Sequence, residues 1–146
     1  MTATDSPIDT LAPVDGLVVT LTERVLSVTI DRPDSLNSVT LPVLDGIADA
    51  MEAAAADPRV KVVRLGGTGR GFSSGAGIGA DDADDVPIEI IVAANRAVRA
   101  ITALPRPVVA VVQGPAAGVG VSLALACDLV LASEKAFFLL AFTKIG

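Results

Sequence analysis

The chain has 146 residues, enough for one domain with a real core and too few for two comfortable ones. Hydrophobic residues make up 51%, which excludes a disordered chain; with four Phe and no Tyr or Trp, the core must come from Val, Leu, Ile and Ala. A net charge of −6 argues against nucleic acid, and the absence of histidine removes Ser–His–Asp and Cys–His catalysis and disfavours a catalytic zinc site.

Residues 1–16 are expected to form a flexible tail ahead of a domain spanning 17–146. The first residues lack a basic segment followed by an apolar one, so no signal peptide is read. Val18–Leu21 and Val25–Ile30 are predicted strands joined by a short connection, hence a hairpin. Residues 31–37, Asp-Arg-Pro-Asp-Ser-Leu-Asn, read as a loop. Thr40 is a predicted N-cap for a helix carrying Leu41, Leu44, Ile47, Met51 and Ala55 at helical spacing, ended by Asp57-Pro58.

Val60–Leu65 is the next predicted strand, followed by a glycine-rich loop over 66–79. The acidic run 81–85 reads as a solvated loop or the approach to a helix. Pro87–Leu104 is predicted helical, with Ile88, Ile91, Val92, Val98 and Ile101 along one side, and Pro105-Arg106-Pro107 stops it. Val108–Val112 is a buried strand, Val119–Cys127 a short helix and Leu129–Leu131 a strand. Strands alternating with helices give an α/β domain with mostly parallel pairing. Pro107–Cys127 holds 21 uncharged residues, but Gly114-Pro115 interrupts them, and no membrane span is expected. The single cysteine, Cys127, precludes an internal disulfide and fits a reducing compartment; its simplest role is that of a small core residue.

Chemistry concentrates in two glycine segments, 69–77 and 113–120, each placed after a predicted strand. Gly75–Ala80 fits G-x-G-x-x-G/A, but a loop precedes it and acidic residues follow where pyrophosphate would bind, so a dinucleotide fingerprint is set aside. Gly120-Val121-Ser122-Leu123-Ala124 approximates a hydrolase elbow, yet its serine has no histidine to act as base. The remaining reading is a thioester site in which two backbone amides hold an oxygen that gains negative charge. One amide, at Ser74, lies in the first segment. The other, at Val119, opens the helix after the second. Gly75, Gly118 and Gly120 allow close approach of substrate and backbone.

Residues 69–78 (Gly-Arg-Gly-Phe-Ser-Ser-Gly-Ala-Gly-Ile), residues 106–120 with Gln113-Gly114-Pro115-Ala116-Ala117-Gly118-Val119-Gly120, and Cys127-Asp128 resemble the crotonase superfamily, the enoyl-CoA hydratase/isomerase family. Asp31-Arg32-Pro33 with Leu36-Asn37 looks like that family's early CoA-contacting loop, and the resemblance runs from about residue 17 to the end. It implies the ClpP/crotonase fold of repeated ββα units and an acyl-CoA thioester as substrate, with no other cofactor. By motif position the two amide donors fall on Ser74 and Val119. Ser35, Leu36, Gly75, Ala76, Gly77 and Gly118 fall where the substrate passes.

The departures from the pattern are informative. Ser122 stands where hydratases of the family carry a glutamate, the second family glutamate would fall near Phe142, and Gly77 replaces the usual aspartate after Gly-Ala. A serine without a partner is no general acid or base near neutral pH. The ending, Ala141-Phe142-Thr143-Lys144-Ile145-Gly146, resembles an isomerase-like branch and reads as truncated before the C-terminal helices. The expected protein is a cytoplasmic enoyl-CoA hydratase or isomerase of lipid metabolism, isomerase-like rather than a standard hydratase. An intact member is expected to form homotrimers or hexamers. The alternative is a non-catalytic fragment that binds acyl-CoA or a homologous subunit.

Overall fold

The computed structural model describes residues 5–77 and 86–140. The acidic run at 81–85, the end of the candidate dinucleotide motif at Gly79-Ala80, and Phe142 with the rest of the ending lie outside them. In chain order the elements are β1 (Leu17–Thr22), β2 (Val25–Ile30), a 3-10 turn at Pro33–Ser35, β3 (Ser38–Val39) and α1 (Leu41–Ala56). They continue with β4 (Val62–Gly67), β5 (Gly75–Ala76), α2 (Ile88–Ala103), β6 (Val108–Val112), β7 (Pro115–Ala117), α3 (Val119–Ala126), β8 (Leu129–Ala132) and β9 (Phe137–Leu139).

The long strands form a five-stranded sheet in the order β1-β2-β4-β6-β8, antiparallel between β1 and β2 and parallel elsewhere. Glu23 and Arg24 both take positive φ, the geometry of a two-residue hairpin that matches strand twist. From β2 on, each long strand is followed by a short one, and these pair in parallel as β3-β5 and β7-β9, with a Ser73–Ala116 bridge joining the two pairs. The chain is therefore a spiral of ββα turns: β2-β3-α1, β4-β5-α2 and β6-β7-α3, followed by the β8-β9 pair. This is the crotonase-like repeat that the sequence resemblance implies.

Alternation on β2 buries Leu26, Val28 and Ile30, which pack with Val63 and Leu65 of β4 and Val108, Ala110 and Val112 of β6. Val43, Leu44, Ile47 and Met51 of α1 close this core. Thr40 caps α1 by accepting from Val43 N–H (3.4 Å), as predicted. The fourth strand begins two residues later than predicted, because the Val60 carbonyl accepts from Arg106 Nε (2.9 Å) instead of joining the ladder.

The predicted apolar side of α2 is buried only in its second half, where Ile101 lies in the core and Val98 packs against it. Ala93, Ala97 and Ile101 face the core, while Ile88, Ile91 and Val92 are exposed. The alanines let α2 lie close on the alanine-rich α1. Arg96 then reaches Asp45, Asp49 and Glu52 of α1 at 3.2, 2.6 and 3.0 Å.

The expectation of a flexible tail over 1–16 does not hold from residue 5 onward. Ile8, Leu11 and Val14 pack against the core. Ser6 Oγ donates to Asp57, and Arg59 bridges Asp57 (2.9 Å) and Asp9 (3.0 Å). The Arg59 hydrogen bonds hold the buried Asp57 carboxyl well below the usual carboxylate range, aided by Ser6 and opposed by burial.

The last strands are uncovered. Leu129 and Leu131 of β8 are 63% and 65% exposed, and Phe137 of β9 is 53% exposed, leaving an apolar face on the final turn.

Candidate active site

The first glycine segment is threaded between β3 on one side and β7 on the other. On the β7 side, Phe72 and Ser73 N–H donate to the Pro115 carbonyl (3.0 and 3.2 Å), and Ala117 N–H donates to the Ser73 carbonyl (2.9 Å). That last rung precedes a fork. Gly75, at φ +94°, turns the first segment away, and Gly118, at φ 52° and ψ −123°, turns the second into α3. Gly118 has the φ/ψ of the first central position of a type II′ turn, which only glycine enters freely, and its carbonyl accepts from Val121 N–H (3.0 Å) as α3 begins.

The two branches stay in contact across the fork. A Cβ on Gly75 would lie 2.8 Å from the Ala117 carbonyl oxygen and 3.5 Å from Val119 N. A Cβ on Gly120 would meet the Ser73 carbonyl oxygen at 2.7 Å. The absence of these side chains allows the α3 N-terminus to sit directly against the first segment.

The amides sort clearly. Ser74 N–H donates to the Leu36 carbonyl at 2.8 Å, and its hydroxyl donates to the Ser35 carbonyl at 2.9 Å. An amide committed to a structural carbonyl is not aimed at a ligand, so the assignment of an oxyanion donor to Ser74 is corrected. Gly75 N–H is taken by Ser73 Oγ (3.2 Å), and Gly77 N–H by the Val39 carbonyl (3.2 Å). In the parallel β3-β5 ladder Ala76 lies opposite Val39, and Gly77's bond to Val39 turns the Ala76 N–H toward the other edge, the side of the fork. Among the described residues, no acceptor outside the β-ladders and helices takes the N–H of Ala76, Val119 or Gly120.

Val119 and Gly120 open the eight-residue helix α3, whose first-turn amides carry partial positive charge. No described carboxylate hydrogen-bonds to residues 73–77 or 115–122. The site's electrostatics therefore come from backbone. Ser122 is exposed on α3 with its N–H on the Gly118 carbonyl (3.4 Å). At the far end of α3, burial and then Asp128 push the Cys127 thiol up to about 12. Its Sγ donates to the Leu123 carbonyl at 3.3 Å.

Ser35 and Leu36, expected where the early loop approaches CoA, meet the first segment through their carbonyls. Leu36 takes positive φ after the 3-10 turn, which presents both carbonyls to Ser74. Gly75, Ala76 and Gly77 follow along the same edge, and Gly118 lies across the fork from them. Sequence reasoning did not single out the Ala76 amide, and it assigned no role to Gln113 or to the Asn37 side chain. Both amide side chains lie inside the quoted motifs. A polar residue beside an apolar strand end is the signal that could have found them.

A model of the enoyl-CoA hydratase/isomerase family matches residues 20–146. A probable enoyl-CoA hydratase of Rhodobacter capsulatus is 36% identical over 128 residues, covering 86% of this chain and 49% of its own length. The 1,2-epoxyphenylacetyl-CoA isomerase of Escherichia coli K12 is 34% identical over 128 residues, covering 84% and 49%. The crystal structure of an enoyl-CoA hydratase from Mycobacterium avium subsp. paratuberculosis K-10 superposes with a TM-score of 0.86 at 74% identity, covering 93% of this chain and 54% of that one. The chain thus spans about half the length of the curated relatives it matches. The match runs through both glycine segments and the fold that holds them, and the chain belongs to the enoyl-CoA hydratase/isomerase family, within the crotonase superfamily.

Proposed function

We propose that the chain binds an acyl-CoA thioester and stabilises its enolate, with the thioester oxygen between the N–H groups of Ala76 and Val119. The observation that carries this reading is the fork itself. Ala76 and Val119 sit on its two branches, joined below by the Ala117–Ser73 rung and held close by Gly75. Two amides fixed before the reaction cost no reorganisation as charge develops on oxygen, and losing one such donor costs about 2.7–4 kcal/mol of transition-state stabilisation. The reaction class favoured is isomerase-like proton transfer rather than hydration, since Ser122 occupies the position where family hydratases carry a glutamate. Coenzyme A enters as part of the substrate, and no further cofactor is invoked. The metabolic setting proposed is lipid metabolism in the cytoplasm.

A second reading has its own observation. With no carboxylate among the described residues bonded at the fork and with β8 and β9 exposed, the chain binds acyl-CoA or a homologous subunit without turnover. Incubation with crotonyl-CoA and with a 3-enoyl-CoA separates the two. Double-bond migration in the 3-enoyl substrate supports isomerase-like catalysis, and saturable binding without change in either supports the second reading. Loss of conjugated-thioester absorbance from crotonyl-CoA at a hydratase rate would refute the isomerase preference. Failure to bind either thioester refutes both.

A further inference from the structure

We propose that Gln113 is a positioning residue that fixes the spacing of the Ala76 and Val119 amides by gripping the loop between β4 and β5. This inference rests on the thioester reading above and concerns how the fork keeps its shape. From the end of β4 to Gly71, side chains take the carbonyls of Gly67, Thr68, Gly69 and Gly71. Gln113 Nε2 lies 2.7 Å from the Gly67 carbonyl oxygen, 3.0 Å from that of Gly69 and 2.9 Å from that of Gly71. Asn37 Nδ2 takes the Thr68 and Gly71 carbonyls at 2.7 and 2.8 Å. Two side-chain amides therefore satisfy the carbonyls of 67, 68, 69 and 71, and among the described residues no backbone donor outside the ladders does. Gly71 is buried and Gly67 and Thr68 partly so, and such carbonyls left without donors are costly, so the loop's path follows the donors.

The two amides are not equivalent in what they connect. Asn37 belongs to the turn that already holds Ser74, through the Leu36 carbonyl, and it ties the loop to the β3 side. Gln113 ends β6 and begins the connection that becomes β7 and α3. It is the side chain that joins the loop feeding Ala76 to the segment feeding Val119. Its neighbour Gly114 lies flat on the Arg70 carbonyl, where any Cβ would collide with backbone. Its own carbonyl accepts from Ser133 Oγ (2.8 Å), anchoring the same point to the β8-β9 turn. A displaced Gln113 would let the 67–71 loop and the 113–118 connection slide, and the rungs between Ser73, Pro115 and Ala117 transmit that slide to the fork. Small misplacements of a preorganised site are expensive in rate even when far from the chemistry.

The readout is the infrared carbonyl stretch of bound crotonyl-CoA labelled with carbon-13 at the thioester, which reports polarisation by both amides. The wild-type chain is expected to lower this frequency relative to free ligand. Gln113→Met, similar in length but without donors, is expected to lose at least half of that lowering while circular dichroism stays native. Gln113→Lys, which carries three N–H donors to the same carbonyls, is expected to restore most of it. A native-like Gln113→Met that keeps the full lowering overturns the inference. If Gln113→Met does not fold, Gln113→Asn decides instead: a reduced lowering supports the positioning role, and an unchanged one overturns it. No lowering in the wild-type chain refutes the thioester reading itself, and this inference with it, before any variant is compared.

Discussion

Replacing Gly75 by alanine tests the geometry of the fork through stability alone. At φ +94° an L side chain is strained, and left-handed backbone costs about 1–2 kcal/mol for a non-glycine residue. The new Cβ would also sit 2.8 Å from the Ala117 carbonyl oxygen, inside the 3.0 Å approach that real Cβ atoms keep. That neighbour is backbone in a hydrogen-bonded rung, so relief requires the fork to open, at about 1–3 kcal/mol for an overpacked site. Against this, alanine reduces the entropy of the unfolded chain and returns about 0.4–1 kcal/mol. The net loss is about 1–4.6 kcal/mol, summing the extremes of these ranges. Gly66→Ala is the matched control: it has ordinary φ, and its nearest neighbour, the Val111 carbonyl oxygen, is 3.9 Å away. That variant is expected to stay within about 1 kcal/mol of wild type. Urea unfolding followed by circular dichroism reads both midpoints. Equal midpoints for the two variants would refute the claim that Gly75 is required by a tight crossing.

Other outcomes follow from the same structure. Val119→Pro removes the proposed donor at the first position of α3, where proline is tolerated, so acyl-CoA polarisation or turnover should fall about 10²–10³-fold with little loss of helicity; an unchanged value sinks the Val119 role. Asp57 has its carboxyl held below the ordinary range in the folded chain, so its contribution is present above about pH 4 and is lost as pH falls further; Asp57→Asn should flatten the acid limb of a stability–pH curve, and an unaltered limb contradicts the Arg59–Asp57–Ser6 anchor. Cys127, with its thiol pushed up to about 12, should react with iodoacetamide at pH 8.5 far more slowly in the folded chain than in urea. Its contribution to stability declines from about pH 9 upward, and equal labelling rates would contradict its burial. Leu131→Lys with Phe137→Ser should reduce binding of a hydrophobic dye and concentration-dependent light scattering, because both residues are more than half exposed on the last turn.

The long elements were legible because their signals are periodic. Leu26, Val28 and Ile30 alternate as a half-buried strand must, and Leu44, Ile47 and Met51 recur as a helix face must. The short strands β3, β5, β7 and β9 were not legible. Two or three residues carry no period, and Gly75, Pro115 and Ala117 have the composition of loops; their pairing is decided by neighbours far along the chain. The apolar side of α2 misled for a related reason. Ile88, Ile91 and Val92 are larger than the alanines that α1 actually accepts, so hydrophobicity pointed to the exposed face. At the site, motif position pointed to the two segments and to Val119, while the proposed choice of Ala76 over Ser74 rests on the β3-β5 register. Two residues apart on a regular strand would aim their amides alike, but Gly75 at φ +94° breaks the alternation, and the Leu36 and Val39 carbonyls reveal it.

The most direct test is a nitrogen-15 amide titration of the chain with butyryl-CoA, using free coenzyme A as reference. A thioester oxygen seated in the fork moves the Ala76 and Val119 amide protons downfield with the acyl ligand and not with coenzyme A alone, leaving Ser74 on its Leu36 carbonyl. A shift at Ser74 with Ala76 unmoved, or no shift at Val119, would contradict the proposed pair of donors.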